Sequence, residues 1–145
     1  MTLPLTGKCQ CGIVKYEITE TPKRMGLCHC RSCQRATGSA YYPFVATTAD
    51  ALIIKGKVAW YETIGETGYK VNRGFCSNCG SRLFSKPDAL PNLRTVAAGT
   101  LDDPSIFKPE VAVWMEDAVS WNDITSTLIH FDKNSPAFQK IPEIV

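Results

Sequence analysis

A chain of 145 residues with 44% hydrophobic and 21% charged residues is long enough for one packed core and too ordinary in composition for a disordered or fibrous protein. Its formal charge is only +2, and no block of about five or six basic residues occurs, so neither a nucleic-acid nor a membrane-surface partner is expected. No apolar run reaches the roughly 18 residues of a membrane span, and the N-terminus lacks a basic region followed by an apolar stretch, so the expectation is a single domain over residues 1–145 in the cytosol.

In chain order, the first clear element is a strand in which Val14, Tyr16 and Ile18 alternate with Lys15 and Glu17, leaving directly from Cys11-Gly12. A short helix is expected over residues 30–37, with Gly38 placed as its C-terminal stop. Further strands are expected at 41–47, 52–55, 58–63, 69–75, 82–85, 95–100 and 111–115, each rich in β-branched or aromatic residues. Lys55-Gly56-Lys57 has the composition of a tight hairpin turn. Trp60, Trp114 and Trp121 can line a pocket, but aromatic side chains in strands are more often core, and core is the expectation. The tail, residues 122–145, mixes Leu128, Ile129 and Phe131 with Pro136 and Pro142 and is expected to wrap irregularly. The fold class is mainly β, with one short helix.

All seven cysteines fall into three clusters: Cys9-Gln10-Cys11-Gly12, Cys28-His29-Cys30-Arg31-Ser32-Cys33 and Cys76-Ser77-Asn78-Cys79-Gly80. In a reducing compartment such spacings indicate metal ligands before disulfides, and an odd number pairs badly. Buried cysteines can also serve as small hydrophobes, but confinement of every cysteine to three short clusters favours metal. The first and third clusters end in Cys-Gly, where glycine permits the tight turn that brings backbone N–H groups to a thiolate. They are zinc knuckles by composition. Together Cys9, Cys11, Cys76 and Cys79 supply the four thiolates of a closed structural zinc site. Cys28, Cys30 and Cys33 supply three, which leaves one coordination position for water or substrate, the mark of a catalytic zinc; a second structural zinc completed by water or a protein oxygen is the plainer alternative. Seven thiolates and two zinc ions bring the formal charge to about −1.

His29 lies between two ligands whose side chains project differently from its own, so it is expected beside the site or exposed rather than in the ligand set. His130, next to Phe131, is expected to be packed or at the surface. Lys23, Arg24, Arg31 and Arg35 can offer positive charge to a substrate carboxylate, although for any one of them a solvated basic face is the favoured reading.

Gly7-Lys8-Cys9-Gln10-Cys11-Gly12, the middle cluster with Arg35-Ala36-Thr37-Gly38 after it, Phe75-Cys76-Ser77-Asn78-Cys79-Gly80, and Ala98-Gly99-Thr100-Leu101-Asp102-Asp103-Pro104 together resemble the glutathione-dependent formaldehyde-activating enzyme family, which includes the centromere protein V type of domain. The resemblance implies a β-tent of twisted antiparallel sheets, a structural zinc on the knuckle cysteines and a labile or catalytic zinc on the middle three. It further implies a carbon–sulfur lyase whose partners are glutathione and formaldehyde, joined as S-hydroxymethylglutathione. In the expected mechanism the open zinc takes up a substrate thiol and lowers its pKa from about 8.5, so that a thiolate meets the aldehyde carbon. The contrasting function class is a non-enzymatic zinc module for partner binding or metal handling, which has no need of a three-ligand site.

Overall fold

The computed structural model describes residues 1–122. It is built from ten strands, one α-helix and several 3-10 turns. A three-stranded sheet has the order β1 (Leu5–Lys8), β2 (Lys15–Ile18), β5 (Leu52–Lys55). A seven-stranded sheet runs β10 (Val111–Val113), β3 (Arg24–Cys28), β4 (Tyr42–Thr48), β9 (Leu93–Ala97), β8 (Arg82–Pro87), β7 (Lys70–Cys76), β6 (Val58–Ile64). All pairings are antiparallel except that of β10 with β3, which is parallel. The helix α1 (Arg31–Thr37) lies between β3 and β4.

The alternating residues of β2 behave as their pattern requires. Val14, Tyr16 and Ile18 are buried, and they join Leu5, Val45, Leu83, Phe84 and Val96 in a core shared by both sheets. Tyr16 meets Phe84 edge to face, with ring centroids 5.4 Å apart.

Four expectations are corrected. Lys55-Gly56-Lys57 joins no hairpin, because β5 pairs with β2 in the small sheet whereas β6 pairs with β7 in the large one. Gly56 turns the chain between sheets with φ 98°, and a Cβ there would lie 2.3 Å from the Ile13 carbonyl oxygen. The strand expected at 95–100 stops at Ala97, where a 3-10 turn, Ala98–Thr100, brings Leu101 into a bridge with Gly7. The strand expected at 111–115 stops at Val113, because Trp114 takes a left-handed conformation, φ 60° and ψ 41°. Trp60 and Trp121 are not core residues, being 37% and 57% exposed. Trp60 instead carries the Lys86 ammonium 3.6 Å above its ring. His130 and the tail beyond Asn122 lie outside the described residues.

Two thiol clusters and the cavity beside one of them

Each knuckle is the loop of a hairpin. The first joins β1 to β2, and the third cluster joins β7 to β8. The turns are built alike: Gly12 (φ 78°) donates its N–H to the Cys9 carbonyl at 3.0 Å, and Gly80 (φ 74°) donates to the Cys76 carbonyl at 2.8 Å. A left-handed glycine after the second cysteine lets the loop close on itself, which turns both of its thiols toward one point.

The two loops come from different sheets and meet at one point. Cys9, Cys11, Cys76 and Cys79 place their sulfur atoms within 4.8 Å of one another. Two of the separations are 3.5 Å (Cys9 to Cys11) and 3.7 Å (Cys11 to Cys76). A tetrahedron of thiolates at the usual zinc distance has edges of about 3.8 Å, so these four fit a zinc ion. The Val14 amide donates to Cys9 Sγ at 3.3 Å. Ser81, whose hydroxyl lies 3.2 Å from Cys79 Sγ, accepts the Gln10 amide at 2.9 Å and stitches one knuckle to the other.

The middle cluster has a different origin. Cys28 ends β3, Cys30 caps α1 with its sulfur accepting the Cys33 amide at 3.3 Å, and Cys33 sits in the first helical turn. Gly38 closes the helix with φ 66° and returns its N–H to the Gln34 carbonyl at 2.8 Å. Strand end, cap and first turn thus bring three sulfurs within 4.8 Å, a set that can also hold a metal ion. Gln34 fixes the loop from behind, with Nε2 donating to the His29 carbonyl at 2.6 Å and the Asp117 carbonyl at 2.9 Å.

His29 is outside this ligand set, as its position between two cysteines implies, and it is buried rather than exposed, at 1% accessibility. Its ring packs on Tyr41, centroids 5.2 Å apart, and its Nε2 lies 3.3 Å from the Asn122 amide nitrogen.

Cys28, Cys30 and Cys33 form part of the wall of a cavity of about 290 Å³. Arg73, a buried residue of β7, also lines it and donates through Nη1 to Cys33 Sγ at 4.0 Å and through Nη2 to the Ser32 hydroxyl. Arg82 lies behind Tyr42, its guanidinium carbon 4.2 Å from the ring centroid, and burial lowers its pKa. Hydrogen bonds from Cys28 and Cys30, helped by the charges of Arg73 and Arg82, pull the Cys33 thiol down to about 3 against the opposing effect of burial. The same sulfur–sulfur hydrogen bonds push Cys28 up.

The sequence pattern located the cysteines but not the residues around them. None of Lys23, Arg24, Arg31 and Arg35 lines the cavity. Lys23 pairs with Glu20 at 3.9 Å, Arg31 donates to Gln34 Oε1, and Arg35 borders an adjoining groove with Tyr61 and Thr63. Arg73 and Trp114 take their place. Arg73 was legible only as a charged position within the strand expected at 69–75. Trp114 was legible as an aromatic able to line a pocket, but nothing in its flanks announces its positive φ.

These features define a β protein organised around two thiol clusters able to hold metal ions, one joining two sheets and one open to a cavity. The chain belongs to the glutathione-dependent formaldehyde-activating enzyme family, whose model matches residues 4–117. A comparison with curated proteins gives no match. Among solved structures, a Rhodobacter sphaeroides protein determined as a structural-genomics target is similar in fold, with a TM-score of 0.58 at 21% identity, covering 74% of this chain and 97% of that one. Among the described residues, no helix is long and apolar enough to cross a membrane.

Proposed function

We propose that the protein is a zinc-dependent enzyme of the carbon–sulfur lyase type, joining a small thiol to an aldehyde and running the same step in reverse, with glutathione and formaldehyde as the pair its family name carries. Cys9, Cys11, Cys76 and Cys79 then hold a structural zinc, and Cys28, Cys30 and Cys33 the reactive one. The observation that carries this reading is that the cluster with one ligand too few for a closed site is the cluster in the cavity wall. When bound there, zinc supplies a Lewis-acidic charge that favours an ionised thiol and a polarised carbonyl at neutral pH.

In the forward step a sulfur–carbon bond forms, the carbonyl π pair moves onto oxygen, and the thiol proton ends on that oxygen. The adduct contains every atom of both reactants, and no oxidant or reductant is consumed. Arg73, beside Cys33 Sγ and anchored on Ser32, offsets the charge of crowded thiolates. Glu66, in the cavity wall with Oε1 accepting the Ser32 amide at 3.3 Å, is placed to take the thiol proton and return it to the new hydroxyl.

Metal analysis of protein purified under reducing, chelator-free conditions is expected to give about one to two zinc ions per chain, the open site being the one able to lose its ion. Turnover of glutathione with formaldehyde is expected to be abolished in Cys30→Ala and to fall at least about a hundredfold in Glu66→Gln, within the range for loss of a general base. Metal content near zero, or unimpaired turnover in Cys30→Ala, overturns the reading.

A further inference from the structure

We infer that the thiol accepted at this cavity has a compact apolar body, an aryl or branched alkyl group, in preference to the charged tripeptide of glutathione. The inference rests on the proposed function and narrows its substrate class. At about 290 Å³ the cavity is at the small end of ligand pockets, which run from about 300 to 1,000 Å³. Phe44, Val71, Leu90, Leu93, Val113 and Trp114 supply much of its wall. The left-handed backbone at Trp114 turns the chain at the end of β10, and the residue packs with Phe44 against Cys30, Cys33 and Tyr42. Such a conformation is costly for a bulky residue and persists only where surroundings enforce it, as they do at ligand sites.

Charge gives the discriminating argument. Glutathione carries two carboxylates and an ammonium, and each must find a partner when taken from water. Among the described residues lining the cavity only Arg73 and Glu66 are charged, and both already serve the cluster end, on Ser32 and Cys33. The neighbouring cations lie outside the wall. Arg82 lies over Tyr42 and donates through Nη2 to the Ser85 hydroxyl at 2.8 Å, its Nε and Nη1 being enclosed without a hydrogen-bond partner among the described residues; Arg94 donates to the Pro91 and Leu93 carbonyls, and Lys86 covers Trp60. Arg35 faces the adjoining groove, with Arg73 and Glu66 forming the shared wall. A phenyl or branched alkyl group needs none of these partners and gains from leaving water.

Cobalt(II)-loaded protein gives a readout independent of turnover, because a further thiolate entering the open site alters the cobalt–thiolate absorption that Cys30→Ala removes. Phenylmethanethiol and glutathione are titrated against it. Half-saturation is expected at a concentration at least about tenfold lower for phenylmethanethiol, a preference equivalent to about 1.4 kcal/mol. Leu90→Asp places a charge at a position already 57% exposed, where folding is insensitive to it. It should weaken phenylmethanethiol at least about tenfold and leave glutathione within about twofold. Leu93→Ser, deeper in the wall, should act in the same direction. Equal or tighter binding of glutathione, or indifference of phenylmethanethiol to both substitutions, overturns the substrate class while leaving the metal reading intact. Absence of the Cys30-dependent cobalt band overturns both.

Discussion

Gly7 and Tyr16 face each other across β1 and β2, and their contact leaves no room for a methyl group. A Cβ on Gly7 would lie 2.2 Å from the Tyr16 hydroxyl and 2.4 Å from the Thr100 carbonyl oxygen. The tyrosine ring could swing aside, but the Thr100 carbonyl is backbone, held where Leu101 bridges Gly7. Gly7→Ala is therefore expected to cost about 1–3 kcal/mol, the usual range for overpacking, read as a lowered denaturant midpoint. An unchanged midpoint would show that the strand accommodates the methyl group. Tyr16 also titrates with consequence. Burial raises its pKa strongly, outweighing the hydrogen bond to Thr100, so the folded state keeps a proton that the unfolded chain begins to lose near pH 10. The stabilisation is complete below that pH and is lost progressively as pH rises above it, at up to about 1.4 kcal/mol per pH unit. Between pH 9 and pH 11, Tyr16→Phe should lose less stability than the unsubstituted protein; parallel curves would mean that the phenol ionises without penalty. Burial raises Tyr42 as well, so the variant should retain some alkaline sensitivity.

At the scale of elements, the strands with strong alternation or dense β-branching were legible, β7 among them despite its buried Gly74, whereas two short strands built around a close-packed glycine were not. β1 and β3 were missed because Gly7 and Gly26 occupy buried positions that carry no hydrophobic signal, yet each glycine marks an approach too tight for a side chain. The helix was legible from its glycine stop, whereas its cap, a cysteine, is no ordinary capping residue. The two knuckles were readable because ligands and turn residues are adjacent in sequence. The cavity was not, because β3, β4, β7, β8, β9 and β10 each contribute residues to it and only the sheet order brings them together. Gly26 tests that dependence. A Cβ there would lie 2.7 Å from Val111 Cγ2, 2.8 Å from Phe44 and 2.9 Å from the Val111 carbonyl, which should push β10 away from β3. Since β10 leads into Trp114, Gly26→Ala is expected to weaken phenylmethanethiol binding at least about tenfold while the zinc of the knuckle site remains. Unaltered binding with wild-type stability would show that the cavity does not depend on this strand pairing.

For the whole molecule, the central question is what joins a three-stranded sheet to a seven-stranded one. The shared core contributes, as do the Gly7 to Leu101 bridge and the Asp102 amide donating to the Thr6 carbonyl at 2.9 Å. The four-thiol site is the proposed covalent-strength tie, spanning 65 residues between Cys11 and Cys76. Binding free energy at such a site is folding free energy, because the unfolded chain has no preformed equivalent. The three-thiol site differs in reach. Its cysteines lie within six residues of one another, so an ion there closes only a short loop and constrains the unfolded chain little. The contrast separates a structural from a reactive role with two single substitutions. Cys76→Ser removes a buried ligand and leaves three thiols around a vacated centre between the sheets, so it should abolish cooperative melting or bring the chain down as aggregate. Cys30→Ala also loses the sulfur that caps α1, a cost of about 0.5–2 kcal/mol, yet both sheets stay tied, so the transition should remain cooperative and move by only a few degrees as the second zinc and the activity disappear. Melting curves and zinc content measured side by side decide it. If Cys76→Ser melts within a few degrees of the unsubstituted protein, the four-thiol site is not the tie; if Cys30→Ala unfolds as severely, the middle cluster is structural too, and the assignment of chemistry to the cavity fails with it.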